Sequence, residues 1–169
     1  MRAATSVAIL AFATPAIADS LPTMGRISEN ATPENIGPVA VSLADRSLDA
    51  CWTNLRDVRE YVEEKLVDEG FEVTQAGGAS YSLGVAVLAS RRPALFGQGP
   101  CQGLVNIYMG ASVLAPNEIR ADLFAGRLRG NFTVAEFSGI IPEVDNVDEI
   151  VTSYVSLFFE AYRERVGQN

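Results

Sequence analysis

The chain has 169 residues, with 13 Lys plus Arg against 21 Asp plus Glu, a formal net charge of −8 and no histidine. A composition 48% hydrophobic and 20% charged is that of a globular protein. The acidity excludes a phosphate-backbone binder, which needs a basic stripe, so no nucleic-acid partner is expected. Without histidine there is no Ser–His–Asp triad, no Cys–His pair, no His-ligated zinc site and no imidazole switch.

Residues 1–18 read as an export signal: Arg2 forms a positive start, Val7 to Ala13 an apolar run, and Ala16-Ile17-Ala18 a small-residue cleavage site. The run is too short to span a bilayer, which takes about 20 apolar residues. It is also broken at Pro15 and followed at once by Asp19 and Ser20. Cleavage after Ala18, a periplasmic or secreted location and no membrane span are therefore expected. Cys51 and Cys101 are the only cysteines, and in an exported chain an even pair is expected to form a disulfide. Neither C-x-x-C spacing nor a histidine is present to make either thiol reactive.

Residues 19–37 hold Pro22, Gly25, Pro33 and Gly37 without apolar periodicity and read as a loose N-terminal arm. A single domain is expected over residues 38–169. Val39, Val41 and Leu43 alternate as a short strand. Leu48, Cys51, Leu55, Val58, Val62 and Leu66 recur at helical spacing, with Gly70 as a stop, which predicts a helix over 45–69. Tyr81, Leu83, Val85 and Val87 alternate with small residues as a second strand. The Gly- and Pro-punctuated stretch 91–103 reads as a long loop, and strand character resumes over 104–114.

Residues 117–130 fit a helix face through Ile119, Leu123 and Leu128 or a strand through Ile119, Ala121 and Leu123; the β-like run that follows favours strands. Asn146 followed by Glu149 marks a helix start, and Val147, Ile150, Val151, Tyr154, Phe158, Tyr162 and Val166 form its stripe. These elements predict an α+β domain: a mostly antiparallel sheet, two amphipathic helices on one face and one disulfide.

No strong catalytic motif is present. Gly97-Gln98-Gly99 and Gly103 lack the strand-turn-helix context of a dinucleotide fingerprint, so no cofactor is expected. Glu143, Asp145, Asp148 and Glu149 are explained by helix capping and the dipole, and no metal is expected there. Paired carboxylates among Asp122, Glu136 and Asp145 would suit a glycan hydrolase, the alternative enzymatic reading. An apolar pocket near Trp52, Phe71 and Tyr81 would suit a small-ligand carrier. Arg91, Arg92, Arg120, Arg127 and Arg129 either form an anion-clasping patch or lie scattered against nearby acids. Val155, Leu157 and Phe159 fall off the last helix's main stripe, which marks them, with Arg127 and Arg129, as candidate partner-binding residues.

The order Val39-Ala40-Val41, a helix ending Lys65-Leu66-Val67-Asp68-Glu69-Gly70-Phe71-Glu72-Val73, then Tyr81 to Val87, resembles small bacterial envelope domains of the TolB amino-terminal and penicillin-binding-protein-activator kind. The resemblance covers residues 38–90 and, more loosely, the final helix. It implies a non-enzymatic accessory module that binds an envelope protein or itself.

Overall fold

The alternation of side chains along three long strands decides the architecture. A computed structural model describes residues 23–94, 98–114 and 129–166. It contains strands β1 (Thr23–Ile27), β2 (Val39–Asp45), β3 (Tyr81–Pro93), β4 (Gln98–Leu114) and β5 (Arg129–Val144). The helices are α1 (Pro33–Ile36), α2 (Leu55–Asp68) and α3 (Asp148–Val166). The strands form one sheet in the order β1-β5-β4-β3-β2. Only β2 and β3 run parallel, joined through α2; every other pairing is antiparallel. The domain is the expected α+β sheet with its helices packed on it and a Cys51–Cys101 disulfide.

Odd-numbered residues turn inward along the central strands, because successive side chains point to opposite faces. Leu83, Val85 and Val87 of β3, Val105, Ile107 and Met109 of β4, and Ala135, Phe137 and Ile141 of β5 are all buried. Val58, Val62 and Leu66 of α2 and seven residues of α3 close over them. The helices lie side by side, joined by a 2.8 Å hydrogen bond between Tyr61 Oη and Ser156 Oγ. Gly139 makes room for the buried Tyr154 ring, whose hydroxyl donates to the Ile140 carbonyl at 2.7 Å.

Several sequence expectations are corrected. The loose arm over 19–37 is ordered from Thr23 onward: β1 pairs with β5, while Ala31 and Ile36 are buried. Tyr162 Oη donates to the Ala31 carbonyl at 2.9 Å, so the apolar end of α3 fastens this segment. The helix expected over 45–69 begins only at Leu55, because residues 46–48 continue beside β3, Arg46 N bonding Val87 O and Leu48 N bonding Ala89 O. Asp49 and Ala50 then adopt positive φ and turn the chain so that Cys51 reaches Cys101, Cα to Cα 5.8 Å. Much of the loop expected over 91–103 is strand: β3 runs to Pro93 and β4 starts at Gln98, where Gly99 and Gly103 let the two backbones close on each other. Of the ambiguous stretch 117–130, residues 117–128 lie outside the described residues, and 129–130 open β5.

Candidate functional site

Both helices cover one face of the sheet; among the described residues the other face is open, and the even-numbered strand residues point there. In-register pairing sets them in rows across the strands. Leu88, Leu104 and Ile140 form one row. Ser42, Gly84, Tyr108, Glu136 and Arg26 form another, and Ala86, Asn106 and Ser138 lie between the two. Leu88 is 57% exposed, Leu104 52% and Ile140 53%; Leu48, just beyond β2, is 63% exposed. These four line a shallow groove of about 700 Å³ together with Arg46 and Ser90. Three large apolar side chains half in water on adjacent strands form a contiguous patch, unlike scattered exposed leucines.

Acids outnumber bases on the helices. Asp57, Glu60, Glu63 and Glu64 lie on α2, and Glu149, Glu160 and Glu164 on α3. Within the three rows of the open face Glu136 is the one acid, beside Arg26 and accepting from Asn106 Nδ2 at 3.4 Å. The Asn106 Oδ1 atom is buried and has no hydrogen-bond partner. Tyr108 lies across Gly84, where any Cβ would meet its ring. The β2 edge of the sheet is closed to strand addition along its first half. Val39 exchanges backbone bonds with the 72–74 segment, and Arg59 donates to the Val41 carbonyl at 2.8 Å.

The residues singled out from sequence are distributed differently. Cys51 and Cys101 are joined and buried. Val155 and Phe159, expected to offer a partner-binding face, are 0% and 1% exposed, and Leu157 is half-buried. Helix α3 is apolar on several faces because it packs down on the sheet and sideways against α2, and Phe159 packs edge-on against Phe158 inside. Arg129 opens β5 opposite Leu114, and Arg127 lies outside the described residues.

Arg91 and Arg92 sit at the opposite end of the strands from Arg129. Arg91 donates to the carbonyls of Asp49 and Gly99, both at 3.1 Å, and Arg92 pairs with Glu143. They do not join one anion-binding patch with Arg129; Arg120 is outside the described residues. Asp122 is likewise outside them. Glu136 stands mid-strand while Asp145 lies past the end of β5, about 25–30 Å away at strand rise, so these two acids do not face each other. Trp52 and Phe71 are packed in the core, and with Tyr81 they line none of the described grooves. Asp148, of the acidic cluster, bridges to the Thr53 amide and hydroxyl at 2.9 and 2.5 Å. Among the described residues, no group of three or more His, Cys, Asp or Glu is gathered for a metal, and no helix is long and apolar enough to cross a membrane.

Sequence reasoning passed over the open-face row. Its signal was present in Leu88, Leu104 and Ile140, each beside an inward-facing residue of its strand. It needed the pairing register to bring three isolated apolar residues into line.

No family model matches the chain, and no curated protein matches it. Among solved structures it is similar to a DUF4136 family protein from Bacteroides thetaiotaomicron, at 9% identity and TM-score 0.52, covering 86% of this chain and 97% of that one. It is also similar to the PelC dodecamer from Paraburkholderia phytofirmans, at 9% identity and TM-score 0.45, over 87% of this chain and 97% of that one. The DUF4136 neighbour supports a likeness to a small bacterial domain; it does not carry the narrower resemblance to TolB or penicillin-binding-protein-activator domains. At such identities the DUF4136 likeness shows the fold alone.

Proposed function

We propose that this chain is an exported, non-catalytic binding module of the bacterial envelope, which holds a protein partner on the open face of its sheet. The observation that carries the reading is the exposed Leu88–Leu104–Ile140 row on a face whose three rows hold one acid, in a chain whose helices carry more acids than bases. The buried disulfide supports an oxidising compartment, and the leader-like residues 1–18 support export.

The test compares the tagged chain with Leu88→Lys in capture from envelope extract. Val67→Lys serves as control, because Val67 is equally exposed but lies on α2. Loss of a specific captured protein with Leu88→Lys alone is the expected result. Capture that survives Leu88→Lys unchanged overturns the reading. Intact-mass analysis of exported material, expected to show a chain starting at Asp19, tests the location independently.

A further inference from the structure

We infer that the protein seated on the open face is a second copy of this chain, related by a two-fold axis running along β4. The inference rests on the function proposed above and names the partner. Three observations carry it: size, charge and the residues on the axis.

The face is five strands wide, about 24 Å, and about 26 Å long from Ser82 to Ser90, given strand spacings near 4.8 Å and a rise near 3.3 Å. That is about 620 Å² in projection, and side-chain relief raises its accessible area toward the roughly 800 Å² that each partner contributes to a stable protein interface. Sheets stack face to face with aligned strands at about 10 Å, which suits a flat surface meeting its own like. A chain of formal charge −8 repels its copies wherever its acids face outward. The open face is where two copies approach with least repulsion.

An axis along β4 lays each β3 over the partner's β5, and each β4 over itself. Leu104 then meets the partner's Leu104, and Leu88 meets the partner's Ile140, so both apolar rows leave water together. Asn106 likewise comes opposite the partner's Asn106 on the axis. Four residues farther along, Gly84 comes opposite the partner's Glu136. Because Tyr108 leans across Gly84, its hydroxyl is carried toward that carboxylate, and the symmetry repeats the contact. The one acid in the rows and the apolar row are thus both matched by one symmetry operation.

Sedimentation equilibrium of the processed chain, with its native disulfide intact, should show a dimer at micromolar concentration. Leu104→Lys should weaken it at least about tenfold, with Ile140→Lys as a second variant should the first fail to fold by circular dichroism. Leu104→Cys should be cross-linked to itself by a short bifunctional thiol reagent, because the axis sets the two thiols across a gap of about 10 Å between sheets, whereas Val67→Cys on α2 should not. A wild-type chain that sediments as a monomer, or a Val67→Cys variant that cross-links as readily as Leu104→Cys, overturns self-pairing. In that event, loss of a captured envelope protein in Leu88→Lys still upholds the binding face, so the two ideas fail separately.

Discussion

Tyr162 shows how one polar group can be made to serve an apolar helix. Its ring packs against Phe71, centroids 5.7 Å apart, while its hydroxyl donates to Ala31 across 131 residues of sequence. Burial, reinforced by the negative charges of Glu69 and Glu34, pushes its phenol up from 10.0 to about 12. A group whose folded pKa lies above its unfolded one stabilises the fold fully below the unfolded value, and that contribution is lost as pH rises toward the folded one. Denaturant unfolding measured across pH should therefore lose stability between pH 10.0 and about 12, and Tyr162→Phe should flatten that alkaline limb. The variant should be somewhat weaker at neutral pH, by about 1 kcal/mol, because the Ala31 carbonyl loses its donor. Tyr154 is likewise pushed up by burial while bonded to Ile140, which ties the core to a strand residue that faces the open side.

Among the elements, α3 marks the point at which a sequence pattern and its meaning diverge. The spacing of Val147, Ile150, Val151, Tyr154 and Phe158 was legible as a helix, and the helix forms. Its surplus apolar residues read equally well as a face for a partner or as a helix packed on two sides, since periodicity records which residues avoid water and not what covers them. Phe159→Ala should thus destabilise the monomer by about 3–5 kcal/mol in chemical denaturation, the cost of an emptied aromatic site, and half-buried Leu157→Ala should cost less. The start of α2 failed for a related reason. Leu48 and Cys51 fit the helical step, but the backbone bonds of residues 46–48 to β3 held the chain extended until Asp49 and Ala50 turned it. Local spacing has no access to a pairing partner forty residues away.

At the scale of the whole molecule, the disulfide joins the entry to α2 with the beginning of the central strand β4. Crossing a loop of 50 residues, it should contribute about 4 kcal/mol by restricting the unfolded chain. A Cys51→Ser/Cys101→Ser double variant should lose roughly that much in urea unfolding, with the native circular dichroism retained below the transition. The sequence alone was sufficient for the α+β class, the bridge, the final helix, the strand over 81–87 and the acidic, histidine-free chemistry. Each of these follows from composition or from a short-range period. The tertiary structure alone decided that Thr23–Ile27 joins the sheet, that Phe159 is interior and that Leu88, Leu104 and Ile140 stand in one exposed row. Strand register and layer order are set by backbone pairing between distant segments, and that pairing determines which of two equally apolar faces is left uncovered.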